Sequence, residues 1–399
     1  MTKVLLVAST TGYQVREFAD AAQSLGIELA LATDRCHILD NPWGDNAAAL
    51  RFDDPQPGIE ALTERGPFDG IVAVGDRPAC VAAEAAERLG LRYHPAEAAR
   101  AASDKLLTRE RFRAGGLLVP EFRRISPPFD EPVRYPSVLK PLHSSASRGV
   151  IRANNRQELQ QAVHRVAKIA DNDMLVEDYI PGREFALEGV VTAGKLQVLA
   201  LFDKPDPLEG PFFEETIYVT PSRESPEIQQ AIRETAQAAV TALGLRDGPV
   251  HAEMRVNQDG VWMLEVAPRP IGGLCARVLR FLPGGISLEE LLLRHAIGED
   301  VSAAKLMPEA HGVMMIPIPR RGIYRGVVGL EEARRVPGIE DAVITAKVGQ
   351  ELVPLPEGSS YLGFLFSRRE SADNVEKTLR MAYGCLEFEL SHVFPTVKP

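Results

Sequence analysis

The stretch that most restricts the fold is residues 250–273, Val-His-Ala-Glu-Met-Arg-Val-Asn-Gln-Asp-Gly-Val-Trp-Met-Leu-Glu-Val-Ala-Pro-Arg-Pro-Ile-Gly-Gly. Two alternating apolar runs flank Asn257-Gln258-Asp259-Gly260, so the segment reads as a β-hairpin closed by a tight turn. Glu253 lies about as far before the turn as Glu265 lies after it, which makes their carboxylates near neighbours across the ladder. Like charges so placed repel unless that face is solvated or a cation sits between them. Two carboxylates plus the phosphates of a nucleotide suit Mg2+, with Mn2+ as a substitute, and Glu253 and Glu265 are the candidate metal ligands. The alternative is a strand pair whose acids face water. Downstream, Arg269 offers a fixed guanidinium and Gly272-Gly273 a close backbone approach, and both favour an anionic group.

A chain of 399 residues accommodates two or three domains, and its 45% hydrophobic and 25% charged content is that of a globular protein. No apolar run approaches the roughly 18 residues of a membrane span, and the N-terminus has no signal-peptide pattern, so the cytoplasm is the expected location. A net charge of -10 argues against a general nucleic-acid binder. Cys36, Cys80, Cys275 and Cys385 are too scattered for a zinc or redox pair. A homodimer is the default assembly.

From the N-terminus, Val4–Ala8, Ile27–Ala32 and Gly70–Val74 are apolar runs, each followed by turn residues and a helical pattern. That alternation predicts a doubly wound parallel sheet over residues 1–102. Ser9–Gly12 is not a dinucleotide fingerprint. Asp34-Arg35 and Gly75-Asp76-Arg77 follow strand ends, where they either touch substrate or serve as caps and surface ion pairs. Pro95–Ala102 and the segment from Ser103 read as helices, with Ser103 or Asp104 as N-cap.

Tyr135-Pro136-Ser137-Val138-Leu139-Lys140-Pro141 is a strand ending near a lysine, followed by His143-Ser144-Ser145-Ala146-Ser147-Arg148-Gly149. The amides and hydroxyls of such a loop can wrap phosphates, with Arg148 adding charge; a Ser-rich surface loop would look similar. After a helix over 155–170, Glu177-Asp178-Tyr179-Ile180 ends an apolar strand at Pro181-Gly182, and Glu184 lies just beyond. Lys204 opens a Pro-rich connection running to about Pro226, long enough to cover a substrate. Residues 274–281 read as a helix carrying Arg277, which either holds a substrate carboxylate or forms a structural ion pair. From about Ala310 short strands and one helix predict a small mixed sheet without a catalytic constellation.

The order of these motifs resembles the ATP-grasp superfamily, whose metal-binding end has an acidic residue followed by Glu-x-Asn-Pro-Arg; Glu265-Val266-Ala267-Pro268-Arg269 matches it, with Ala267 in place of the amide ligand. The resemblance implies an α/β and α+β architecture: an N-terminal parallel-sheet domain, an ATP-grasp domain over 103–305 with a lid at about 134–182, and a C-terminal α+β module over 306–399. It implies that Lys105 and Lys140 bind phosphate, that Ser145, Ser147 and Gly149 belong to the lid, and that Glu177, Tyr179 and Ile180 form the adenine hinge with Glu184 near the ribose. Arg269, Arg148 and Lys105 then act in catalysis, and Lys204, Arg277, Gly272 and Gly273 contact substrate. The implied activity is ATP- and Mg2+-dependent joining of a small carboxylate to a small amine, as in dipeptide ligases. A non-catalytic ATP-binding scaffold, or a carboxylase or phosphoribosylamine-type ligase, is the rival expectation, and Ala267 is the departure that keeps the scaffold open.

Overall fold

A computed structural model describes residues 2–9, 14–34, 46–129, 132–170 and 172–393. Thr10–Gly12, Arg35 and Cys36 lie outside them. The first apolar runs form a parallel sheet in the order Ala47–Ala49, Glu28–Thr33, Lys3–Ala8, Gly70–Val74. Both faces of this sheet are covered, which is why its strands are continuous apolar runs and not alternating ones. Val4 and Leu6 pack with Phe18 of helix Gln14–Leu25, whereas Leu5 and Val7 pack with Ile59 and Leu62 of helix Gln56–Arg65.

A second, antiparallel sheet has the order Phe122–Ile125, Met174–Asp178, Ser137–Pro141, Ile151–Ala153. Helix Arg156–Val166, whose first turn is capped by the Asn155 side chain, buries Leu159, Val163 and Val166 against it. This subdomain carries the serine-rich loop. Helix Lys105–Ala114 precedes it, with Asp104 as the N-cap accepting from the amides of Leu106 and Leu107.

The central sheet has eight strands: Gly260–Ala267, Gly248–Asn257, Arg183–Thr192, Lys195–Lys204, Ile217–Thr220, Ala310–Ile316, Gly363–Arg369 and Ile339–Ile344, in that order. It therefore runs through the boundary expected at residue 305, because Ile217–Thr220 pairs with Ala310–Ile316 and their side chains share one apolar core. The segment over 274–281 is a single 3-10 turn, Cys275–Val278, followed by strand Arg280–Leu282, and not a helix. Pro283 and Gly284-Gly285 close in behind it, so the chain turns back to pair with Ile286–Ser287.

One face of the central sheet is covered by helix Pro226–Leu243. Ser225 caps its start and Gly244, at φ 78°, ends it. Ile232, Ala236, Ala239, Val240 and Leu243 recur at helical spacing and pack on Phe185, Leu187, Val250, Ala252, Met254, Val261, Met263 and Val266. On strand Gly248–Asn257 this fixes even-numbered residues to the helix and turns His251, Glu253 and Arg255 to the opposite face. On Gly260–Ala267 the odd residues Val261 and Met263 face the helix, but a bulge at Leu264 shifts the phase, so Val266 faces it instead. Glu265 and Ala267 are thereby brought to the face that carries Glu253. Without that extra residue, Glu265 would point into the helix.

Candidate active site

The register across four strands of the central sheet arranges the face turned away from helix Pro226–Leu243 in three rows. Lys204, Glu184 and Arg255 align in one, Phe202, Ala186, Glu253 and Glu265 in the next, and Ala200, Glu188, His251 and Ala267 in the third. Glu184, His251, Glu253, Arg255, Glu265 and Arg269 line a cavity of about 540 Å³ between this sheet, the lid, the N-terminal domain and the C-terminal strands.

The first two rows are joined by a buried ammonium. Lys204 Nζ lies 3.0 Å from Glu184, 2.5 Å from Glu215 and 3.3 Å from Glu253, and those three carboxylates lie within 4.8 Å of one another. Burial opposes the ammonium, yet the three acids together raise its pKa well above the ordinary lysine value. Glu253 is held far below the usual carboxylate range: burial works against ionisation, but Lys204 and then His251 outweigh it. Glu215 is pushed up to about 7, by burial and by the charge of Glu253, with Lys204 opposing. Arg255 donates to Glu184 at 2.8 Å and to the Ile180 carbonyl at 2.7 Å, which ties the hinge to the sheet.

In the third row, His251 Nδ1 is 2.5 Å from Glu188 and Nε2 is 3.3 Å from Glu253. Burial would lower the pKa of this imidazole, but the two carboxylates hold it at about 9. The other oxygen of Glu188 accepts the Ile271 amide at 3.2 Å, so the row is anchored at both ends.

Cations converge on the cavity from other elements. Lys105, at the start of its helix, lines the cavity and donates to the Ser144 carbonyl at 2.6 Å. Lys140 is ion-paired with Glu177, whose second cation, Arg109, donates to it at 2.9 and 3.3 Å. Burial would raise the pKa of Glu177, but Arg109 and Lys140 bring it to about 2. Arg269 grips Asp76 at the start of helix Asp76–Leu89 through Nε at 2.7 Å and Nη2 at 3.4 Å. Although burial disfavours both charges, the pairing raises the Arg269 pKa and lowers that of Asp76.

Ser145, Ser147, Tyr179, Ile180, Gly272 and Gly273 also line the cavity. Ala146 and Ser147 adopt φ 52° and 54° in the lid loop. A Cβ on Gly272 would meet nothing within 4 Å, whereas one on Gly273, at φ 63°, would press on Phe364 at 3.1 Å. Four expected contacts lie elsewhere among the described residues. The exposed Arg148 donates to the Glu357 carbonyl at 3.0 Å, and Gly149 donates its amide to Pro356 at 2.9 Å, so both dock the lid on the C-terminal module. Arg277 is held by Glu17 and Asp341 outside the cavity lining, at 3.0 and 3.3 Å. Lys204 sits behind the carboxylates it neutralises and does not itself line the cavity.

Conversely, the C-terminal module does contribute to the site. Met315, Ser359, Ser360, Tyr361 and Phe364 line the cavity together with Tyr218 and Cys275. Sequence reasoning missed these, along with Arg109, Glu188, His251 and Arg255. The alternation that placed Glu253 also marks His251 two residues earlier, and Glu188 is four after Glu184 on one strand face.

A divalent ion fits this arrangement. Glu265 is half-buried beside Glu253 and has no hydrogen bond or ion pair among the described residues, which leaves hard oxygen donors free at the cavity face. Ala267, on the same strand face, carries only a methyl and is buried outside the cavity lining.

Comparison with known proteins agrees with the geometry. Residues 133–278 match the ATP-grasp domain. These residues therefore carry an ATP-grasp domain. Beyond it, residues 314–391 match L-amino acid ligase C-terminal domain 2. The crystal structure of an L-amino acid ligase from Bacillus licheniformis superposes with a TM-score of 0.83 at 24% identity, covering 98% of this chain and 99% of that one, a likeness of fold. The alanine–anticapsin ligase of Bacillus subtilis is 27% identical over 44% of this chain and 42% of that protein. The D-alanine–D-alanine ligase of Lacticaseibacillus casei is 29% identical over 38% of this chain and 43% of that protein. The match thus spans under half the length of each of these two ligases.

Proposed function

We propose that this protein uses ATP and Mg2+ to join a small carboxylate to a small amine, with amino acids as the substrate class, and releases ADP and phosphate. The observation that carries this reading is the pairing of Glu253 and Glu265 on one cavity face, ringed by Lys105, Lys140 and Arg269. In this reading, Tyr179 and Ile180 lie along the adenine and Glu184 near the ribose. Lys105, Lys140 and the loop carrying Ser145 and Ser147 hold the phosphates, and Glu253 and Glu265 hold Mg2+. The ion, when bound, neutralises phosphate charge during phosphoryl transfer.

The chemistry follows in two balanced steps. A carboxylate oxygen attacks the γ-phosphorus and ADP leaves; the amine then attacks the carbonyl carbon of the acyl phosphate, loses a proton, and phosphate leaves. Positioning and charge neutralisation carry the catalysis, with no side-chain nucleophile. Arg269, fixed by Asp76, is placed to steady the transferring group or the tetrahedral oxyanion. The enclosing aromatic wall of Tyr218, Tyr361 and Phe364 excludes water that would hydrolyse the acyl phosphate. A screen of amino-acid pairs for phosphate release with Mg2+ or Mn2+, with mass detection of the condensed product, tests the reading. Normal ATP binding with no product from any pair would favour a non-catalytic nucleotide binder.

A further inference from the structure

The loop between strands Glu351–Leu352 and Gly363–Arg369 touches both the lid and the cavity. Its middle meets the lid at two residues. The Pro356 carbonyl accepts the Gly149 amide at 2.9 Å, and the Glu357 carbonyl accepts from Arg148 at 3.0 Å. The Glu357 carboxylate accepts from Arg165, in the last turn of helix Arg156–Val166, through Nε and, at 2.9 Å, through Nη2. Two residues further on the same loop becomes cavity wall, with Ser359, Ser360 and Tyr361. Tyr361 stands edge-on to Phe364, with ring centroids 6.1 Å apart.

The short span between these parts is stiff. The Gly358 amide donates to the Pro354 carbonyl at 2.9 Å and closes a tight turn. A Cβ on Gly358 would lie 1.8 Å from the Val353 carbonyl oxygen, so backbone packs directly on backbone. Pro354 and Pro356 fix two further φ angles. Leu352 and Leu362, buried in the C-terminal core, hold the two ends. The lid loop has the same two-sided character, because Ser145 and Ser147 line the cavity while the next residues, Arg148 and Gly149, reach Glu357 and Pro356. One continuous chain of contacts thus runs from the lid's cavity face, through Glu357, to the wall at 359–361.

We propose that Arg148 and Arg165 are positioning residues through which closure of the lid on nucleotide completes the wall that receives the amino-acid substrate. Docking of the lid fixes Pro356 and Glu357, and the stiff turn at Gly358 passes that order to Ser359, Ser360 and Tyr361. Nucleotide and amino acid then bind with positive coupling, each tightening the other by the same factor. This inference rests on the nucleotide and substrate reading above.

The test is amide hydrogen exchange of the full chain with and without Mg2+ and AMP-PNP, an ATP analogue that resists hydrolysis. Exchange reports local opening, so it reads the lid loop over 144–149 and the Gly358 amide separately. AMP-PNP should slow exchange at both, and at Gly358 by at least about 5-fold, the lower end of a typical coupling between sites. In Arg148→Ala/Arg165→Ala at saturating AMP-PNP the lid loop should stay protected while Gly358 loses its gain, and Arg148→Lys/Arg165→Lys should recover part of it. With an amino-acid pair that yields product, the alanine variant should raise the amino-acid KM by at least about 5-fold. Protection of the lid without protection of Gly358, the same gain at Gly358 in the alanine variant, or an unchanged KM overturns the coupling and leaves the nucleotide reading standing. No response of either loop to AMP-PNP overturns both.

Discussion

Replacing Lys204 by methionine keeps most of the side-chain volume and deletes the charge, which leaves Glu184, Glu215 and Glu253 within 4.8 Å of one another without their shared cation. The lysine side chain is only 2% exposed, so solvent cannot take over. Removing one partner from a buried ionic cluster costs about 3–5 kcal/mol. The cost should depend on pH with a definite sign. Glu215 already has its folded-state pKa raised to about 7, and loss of the ammonium raises it further. A carboxyl whose folded pKa exceeds its unfolded one contributes stability in its protonated form, present below the unfolded value of roughly 4.3 and lost as pH rises through the folded value. Metal-free Lys204→Met should therefore lose the full 3–5 kcal/mol near pH 8 and distinctly less near pH 5.5. Urea unfolding followed by tryptophan emission, to which Trp262 on the hairpin contributes, reads this at both pH values. Wild-type stability at pH 8, or an equal loss at both, would refute the picture of a cation shared by three acids.

Other substitutions separate charge neutralisation from folding. Glu265→Gln should lower phosphate release by about 100-fold or more, the scale of one lost charge-stabilising contact, with unfolding little changed because the half-buried Glu265 has no hydrogen bond or ion pair among the described residues; wild-type turnover would refute its metal role. Asp76→Asn should destabilise the protein by about 3–5 kcal/mol at neutral pH by stranding the buried Arg269. Because the Asp76 pKa is lowered, that difference should persist above about pH 4 and shrink as pH falls through the folded-state value; a difference indifferent to acid would count against the pair. Glu357→Ala removes the Arg165 ion pair, a contact open to solvent, and should change global stability by less than about 1 kcal/mol. It should nevertheless speed tryptic cleavage near Arg148, with ATP and Mg2+ slowing cleavage in both proteins; cleavage indifferent to the variant would detach the lid from that contact.

The hairpin was legible because turn chemistry and alternation are local properties of its sequence. The same pattern gives the pairing of Glu253 with Glu265, but not its cause. The second arm is one residue longer, and only the bulge at Leu264 brings Glu265 to the cavity face. Parallel strands buried on both sides were equally readable as continuous apolar runs. Long-range charge pairing was not. Arg277 and Arg148 look alike in sequence to cavity arginines, and their partners Asp341 and Glu357 lie more than sixty residues away in the C-terminal module. Lys204 ends a strand as a substrate-facing lysine might, yet its three acids come from two other strands and a loop, which no local pattern announces. The module itself was read as separate because its strands are short. Register, not strand length, joins it to the central sheet and brings Tyr361 and Phe364 to the cavity.

The central claim, phosphoryl transfer to a carboxylate before amide formation, is tested most directly by following oxygen. With a carboxylate substrate labelled with 18O in both oxygens, the account predicts that each phosphate released together with product carries one 18O atom from the substrate. Phosphate released with product but free of that label would contradict it.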